Sequence, residues 1–293
     1  MQVSRVIKPD FMIIGAQKCG TTWLWEMLKQ HPGTDLNMTK ELFFFSSSEL
    51  YNKGIQWYYN KFSELNPEKV VGEATTYYFY DYVLRNDLIP DKLLPTIPEL
   101  IVKYIPNIKI FVILRDPVKR AISAYYHHMQ RRKYSPYLPI SAVLKEHPEL
   151  RIVELGHYAR FLELWKDQIP SERLKCFIFE EDVVKWPHKT LKESYRMLRL
   201  DPEFQPNKMQ AGKNPRWTYT HTLLNYYLGG WYRKSYRLVK KSPAAPLLDK
   251  IDFVKTPEIA EADIEFLRAQ YLPEKNKLEI LLDRKLDCWN YSY

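Results

Sequence analysis

The chain has 293 residues, of which 44 are Lys or Arg and 35 are Asp or Glu, a formal charge of +9. A 45% hydrophobic share alongside 27% charged residues excludes a disordered or collagen-like chain and allows one large α/β domain or two small ones. Cys19, Cys176 and Cys288 lie far apart without CxxC or metal-ligand spacing, so neither a disulfide framework nor a zinc site is implied.

The N-terminal residues run straight into an apolar stretch without a basic n-region, h-region and cleavage site. No run of about 18 uncharged apolar residues follows anywhere. The expectation is a cytoplasmic protein without stable membrane insertion. Phe11-Met-Ile-Ile14 is a short apolar run closed by Gly15, and Thr22 to Lys29 has apolar residues at helical spacing, which predicts strand, loop and helix. His31-Pro-Gly33 ends that helix. A second strand is predicted at Lys69-Val-Val71 and a third at the near-continuous apolar run Ile108 to Leu114. Arg115-Asp-Pro117 then opens a helix from about Val118 to Arg132, proline suiting a helix start. Leu174 to Phe179 is a fourth strand, followed by a helix from Lys189 to Leu200. Two further helices are expected at Ile259 to Leu272 and Lys275 to Leu286. The proline-rich stretches Pro90 to Pro106 and Pro136 to Pro148 read as surface excursions. Strands alternating with helices predict one α/β domain over residues 1–293, a central parallel sheet with helices on both faces. Ligands then belong at the C-terminal ends of the strands.

Gly15-Ala-Gln-Lys-Cys-Gly20-Thr-Thr22 has the shape of a phosphate-binding loop, with two glycines five apart and then hydroxyl residues opening a helix. Glycines let successive N–H groups face one anion, and the helix N-terminus adds partial positive charge. The nucleoside-triphosphate version requires Gly-Lys-Ser/Thr; here Thr21 stands in place of that lysine and Lys18 lies inside the loop. Arg115, at the end of the longest strand, and Ser123, eight residues on, offer a fork and a hydroxyl for a second anionic group. A tight structural turn, and an Arg115 paired with Asp116 or a nearby glutamate, are the plainer readings of the same residues.

These residues resemble those of sulfotransferases that use 3'-phosphoadenosine 5'-phosphosulfate (PAPS). The family's Lys-x-Gly-Thr-Thr-Trp loop matches Lys18-Cys19-Gly20-Thr21-Thr22-Trp23, and its arginine with a serine eight residues later matches Arg115 and Ser123. Gly156 to Trp165, Phe179-Glu-Glu-Asp182 and Leu281 to Trp289 also look like family segments; residues 203–258 match least. The resemblance implies that the loop holds the 5'-phosphosulfate, that Trp23 stacks on adenine, and that Arg115 and Ser123 hold the 3'-phosphate. Lys208, Lys213 and Arg216 are candidates for the basic loop that closes over the nucleotide, with Lys213 the nearest match.

Family members of the hormone and phenol type use a histidine base between these motifs, and no histidine lies between His31 and His127. The heparan-sulfate type uses a glutamate in a Lys-Glu-x-x-Phe-Phe-like stretch, which matches Lys40-Glu-Leu-Phe-Phe-Phe45. The resemblance therefore makes Glu41 the catalytic base and Lys18 the group that stabilises the leaving phosphate. Three phenylalanines beside Glu41 argue for partial desolvation rather than a solvated loop carboxylate. Lys40 reads equally as a sulfonyl contact or as surface charge. Glu73, in Val71-Gly-Glu-Ala-Thr-Thr-Tyr-Tyr-Phe79, matches the heparan-sulfate type's Gly-Glu-Lys-Thr-Pro-x-Tyr-Phe imperfectly, with Ala74 at the lysine and Thr76 at the proline.

The implied function is transfer of a sulfonyl group from PAPS to a hydroxyl or amine, leaving 3'-phosphoadenosine 5'-phosphate, with no metal required. The acceptor is expected to be a small metabolite, with a carbohydrate as the alternative. Two rivals remain: a phosphate-loop kinase using ATP and Mg²⁺, and a non-catalytic binder of nucleic acid or acidic membrane suggested by the charge. The run Arg233-Lys-Ser-Tyr-Arg-Leu-Val-Lys-Lys241 reads first as a solvated helix face and second as a membrane or polyanion patch. With the resemblance in place, no nucleic-acid partner is expected, and the excess charge steers an anionic cofactor.

Overall fold

A computed structural model describes residues 6–80, 95–207, 209, 217–243, 248 and 251–289. The described residues fall into two compact units, one built from segments within 1–116, 157–212 and 274–293, the other from segments within 117–156 and 213–273.

The first unit is built on a five-stranded sheet: β1 Phe11–Gly15, β2 Thr34–Asp35, β3 Val70–Ala74, β4 Lys109–Leu114 and β5 Leu174–Ile178. Their order is β2-β3-β1-β4-β5 and every pairing is parallel. The pattern follows from composition, because the apolar runs of β1 and β4 are buried almost throughout, as strands covered on both faces require. The four predicted strands are all present. β2 has only two residues and no apolar run to announce it. β3 extends past the predicted Val71 because Gly72, Glu73 and Ala74 pair with Phe11, Met12 and Ile13, which carries Glu73 into the buried sheet.

Helices around the sheet in this unit are α1 Thr21–Leu28, α2 Ser48–Tyr51, α3 Ile55–Tyr59 and α4 Ile97–Tyr104. Further along, α7 Ala159–Gln168 and α8 Pro187–Leu198 join them; α1 packs on α8, and α4 on α7. The reading of Pro90 to Pro106 as a surface excursion is corrected in part: residues 81–94 lie outside the described residues, but α4 is an amphipathic helix burying Ile97, Leu100 and Ile101. Its start is a capping box, Thr96 Oγ1 accepting from Glu99 N at 3.3 Å and Glu99 Oε2 accepting from Thr96 N at 2.6 Å. β5 runs into a π-helical turn, Phe179–Lys185. The C-terminal segment docks on that turn: Arg284 Nη1 donates to Asp182 Oδ2 at 2.7 Å and Nη2 to Oδ1 at 3.0 Å, while Trp289 Nε1 donates to Glu180 Oε2 at 3.1 Å.

The second unit contains α5 Pro117–Gln130, α6 Ile140–Glu146 and α9 Tyr219–Lys240. α6 corrects the reading of Pro136 to Pro148 as an excursion, since Ile140 and Val143 are buried. α9 packs on α5, Asn225 Nδ2 donating to Gln130 O at 2.9 Å. The two expected C-terminal helices are one, α10 Glu261–Leu282, with Pro273 inside it.

Candidate functional site

The loop after β1 is shaped by backbone conformations that few residues adopt. Gly20 has φ 93°, and a Cβ there would lie 2.6 Å from the Phe179 ring, so the position excludes a side chain on two grounds. Lys18 also takes a positive φ, 66°. Gln17 N donates to Tyr80 Oη at 2.9 Å, and Cys19 N to Ala16 O at 3.3 Å. The Cys19 side chain is fully buried, its Sγ 3.6 Å from Tyr158 Oη, so only backbone of Cys19 borders the loop's mouth. α1 then begins at Thr21 with no side-chain cap and no acidic residue in its first turn. No side chain of that first turn offsets the partial positive charge of the helix end.

Lys40 and Glu41 meet this loop from the other side. Lys40 Nζ donates to Thr22 Oγ1 at 3.2 Å. Burial pushes the Lys40 ammonium below the usual lysine range, with the charges of Glu41 and Glu26 opposing the shift. Glu41 takes a left-handed φ of 63°, and its N–H donates to Ala74 O at 2.9 Å. Its carboxylate accepts from Thr76 N at 3.2 Å and Thr76 Oγ1 at 3.4 Å. Leu42 N donates to Thr75 Oγ1 at 3.0 Å. Thr75 and Thr76 therefore fix the Glu41 turn at the C-terminal end of β3. Sequence reasoning notices Thr76 only as a departure from a proline, although two hydroxyl residues directly after a strand are the signal that locates them.

Glu73 is fully buried. It accepts hydrogen bonds from Thr75 Oγ1 at 2.7 Å, Tyr78 Oη at 2.9 Å and the Tyr58 hydroxyl. Burial raises its carboxyl to about 7; the three hydroxyls pull the other way and the Glu41 charge adds to the rise. Its partners place it beneath the site, bonded to the same Thr75 that holds Leu42.

Arg115 follows β4 and reaches back to the loop. Its Nη1 donates to Lys18 O at 3.4 Å, and its guanidinium lies 5.0 Å from the Phe179 ring centroid. Its Nε is buried without a hydrogen-bond partner among the described residues, 3.9 Å from Glu180 Oε1. Tyr158 Oη donates to Arg115 O at 3.0 Å. Glu180, quoted in the sequence only within Phe179-Glu-Glu-Asp182, is the nearby glutamate of the plainer reading of Arg115, and it also accepts from Asp116 N at 3.3 Å. Burial raises the Glu180 carboxyl above the usual carboxylate range. Trp23 is 6% exposed, and its indole N–H has no hydrogen-bond partner among the described residues. Ser123 sits half-buried on α5, in the second unit. Lys213, Lys208 and Arg216 lie outside the described residues. The structure thus brings together Lys18, Cys19, Gly20, Thr21, Thr22, Lys40, Glu41 and Arg115 within one unit.

A family model described as sulfotransferase domain matches residues 8–223. Membrane-associated sulfotransferase kil1 of Dictyostelium discoideum is 32% identical over 173 residues, 56% of this chain and 33% of that protein. Heparan sulfate glucosamine 3-O-sulfotransferase 5 of Homo sapiens is 30% identical over 202 residues, 66% of this chain and 54% of that protein. The chain thus spans a third to about half the length of these relatives. Among solved structures, a sulfotransferase from Alicyclobacillus acidocaldarius superposes with a TM-score of 0.67 at 23% identity, covering 97% of this chain and 99% of that one, a likeness that speaks to the fold. On the family match over most of its length, the chain belongs to the sulfotransferase domain family.

Proposed function

We propose that this chain transfers a sulfonyl group from PAPS to a hydroxyl or amine of an acceptor, with Glu41 as the general base. The observation that carries the reading is the hydrogen bond from Lys40 Nζ to Thr22 Oγ1, which brings the Lys40-Glu41 turn to the entry of α1, where the loop would receive an anion. The residues present fit such a group: a helix end without a cap, a glycine cradle closed by Phe179, and a buried arginine Nε without a hydrogen-bond partner among the described residues. When bound, PAPS supplies a sulfonyl group on a phosphate leaving group. Lys18, with the N–H groups at the start of α1, would hold the 5' end and neutralise charge on the departing oxygen. Arg115 would hold the 3'-phosphate, with Ser123 assigned to it by the sequence motif. Glu41, oriented by Thr76, takes the acceptor proton.

A carbohydrate is the acceptor class that the heparan sulfate relatives' names favour, at a hydroxyl for the 3-O-sulfotransferase and at an amine for the N-sulfotransferase. The small metabolite expected from the sequence is the other. A nucleotide-release assay across sugars, amino sugars and phenolic or aliphatic alcohols separates the two. Binding is tested by thermal shift. 3'-Phosphoadenosine 5'-phosphate at one hundred times its Kd stabilises by about 2.7 kcal/mol without metal, and Lys18→Ala removes most of that. Stabilisation by ATP with Mg²⁺ and none by 3'-phosphoadenosine 5'-phosphate would replace this reading with the kinase.

A further inference from the structure

The second unit carries a surface on α9 whose residues have no part in the reaction as proposed. Residues 219–243 include Arg233, Lys234, Arg237, Lys240 and Lys241 and contain no aspartate or glutamate. α9 is not one rod: Gly229 has φ 63° and ψ −137°, outside the helical region, and the chain reverses there. Tyr232 Oη bonds the His221 ring, Arg233 Nε donates to Asn225 Oδ1 at 2.9 Å, and the Tyr236 ring lies 5.1 Å from that of His221. A straight helix would hold residues 221 and 236 roughly 22 Å apart. The two legs therefore form a hairpin whose inner face includes Tyr232, Arg233 and Tyr236.

The outer face of the second leg is what remains. Trp231, Lys234, Leu238 and Lys241 recur at spacings of three and four, which places them in one stripe; all four are exposed or partly exposed, Trp231 by 70% and Leu238 by 72%. Arg237 is exposed beside them, and Tyr227, just before the turn, is 65% exposed. Large apolar side chains left in water between cations mark a contact surface rather than an ordinary solvated face.

Two features select the occupant. The charge, entirely positive, calls for an anionic partner. The interleaved tryptophan and leucine call for one with hydrocarbon behind its charges. A sulfated polysaccharide offers anions without such a layer, and a single-stranded nucleic acid offers bases on which Trp231 could stack but no hydrocarbon for Leu238, whereas a bilayer containing acidic lipids offers both. Among the described residues no helix is long and apolar enough to cross a membrane; a stripe of alternating cations and apolar side chains suits a helix lying along the lipid surface. We infer that the outer face of this hairpin docks on an anionic lipid surface, Trp231 and Leu238 entering the headgroup boundary and Lys234, Arg237 and Lys241 lying against lipid phosphates.

The test is co-sedimentation of the full chain with large unilamellar vesicles in about 0.15 M salt. One set is phosphatidylcholine with about 30 mol% phosphatidylserine and the other phosphatidylcholine alone. The unaltered chain should bind the first, weaken steadily as salt is raised, and bind the second poorly. Lys234→Gln with Arg237→Gln should lower binding about 25-fold, at about fivefold per charge, and Trp231→Ser with Leu238→Ser about tenfold or more. These side chains lie on the solvent face, so neither pair disturbs the fold, and the salt titration of the unaltered chain needs no variant. Three results overturn the inference. One is no vesicle binding. Another is equal binding to both vesicle sets. The third is binding that the charge pair abolishes and the apolar pair leaves intact, accompanied by salt-sensitive retention on heparin, which would make the surface a polyanion site.

Discussion

Replacing Glu73 with glutamine exchanges one buried carboxyl oxygen for an amide and leaves the shape of the side chain unchanged. Glu73 is completely enclosed and its carboxyl is raised from 4.5 to about 7, first by burial. The folded protein therefore holds a proton there that the unfolded chain releases between those two values. Stability linked to this group is full below about pH 4.5 and falls as pH rises toward 7. Each tenfold difference in proton affinity between the folded and unfolded chain is worth about 1.4 kcal/mol, so the loss reaches about 3 kcal/mol above pH 7. Below pH 5 the neutral acid and the amide are near equals, since the amide oxygen of the variant would accept from Thr75 and Tyr78 as Glu73 Oε1 does. Urea unfolding of the wild type and Glu73→Gln, paired at each pH, should show the variant gaining about 2 to 3 kcal/mol on the wild type between pH 5 and 8. A difference that stays flat refutes the reasoning. So does one that moves the other way, which would mean that the three hydroxyls hold Glu73 as a carboxylate.

Gly20→Ala forces a side chain into φ 93° and against the Phe179 ring; a cost of about 2 to 3 kcal/mol should appear as lost affinity for 3'-phosphoadenosine 5'-phosphate in calorimetry, and unchanged affinity would mean the loop tolerates a Cβ. Thr75→Val removes a 2.7 Å bond to Glu73 and the acceptor for Leu42 N. It should destabilise by about 1 to 3 kcal/mol and lower kcat more than nucleotide affinity, with Thr75→Ser restoring both. Arg284→Met strands Asp182 and Glu181; because the arginine side chain is 33% exposed, the loss in urea unfolding should be about 1 to 3 kcal/mol, less than for a fully buried pair.

The sheet is legible in the sequence wherever an apolar run exceeds three residues. β1, β4 and β5 agree with their predicted spans to within one residue at each end, because burial on both faces writes a continuous hydrophobic signal into the chain. The two-residue β2 carries no such signal, and β3 reads too short because Gly72 and Glu73 look like a strand's end until their pairing with β1 is known. α4 hides beneath its prolines even though Thr96 and Glu99 spell a capping box. At the site, resemblance names the loop and Glu41, and the structure brings the Lys40-Glu41 turn to the loop's end at Thr22. Their supports, Thr76 under Glu41 and Glu180 beside Arg115, come from contacts between residues 35 and 65 positions apart, which no local pattern records. The hairpin at Gly229 escapes for the same reason, since a glycine pair inside a helical run does not say that the chain reverses.

In the proposed reaction the Glu41 carboxylate removes the acceptor proton at an anion-binding loop. Measuring kcat and the Kd for 3'-phosphoadenosine 5'-phosphate on the same preparation of Glu41→Gln tests it most directly. The kcat should fall by about 10²- to 10⁴-fold while the Kd stays within about twofold of wild type, since the amide keeps an acceptor for Thr76 and binds no phosphate. A near-normal kcat, or a Kd that worsens in step with kcat, would contradict this role for Glu41.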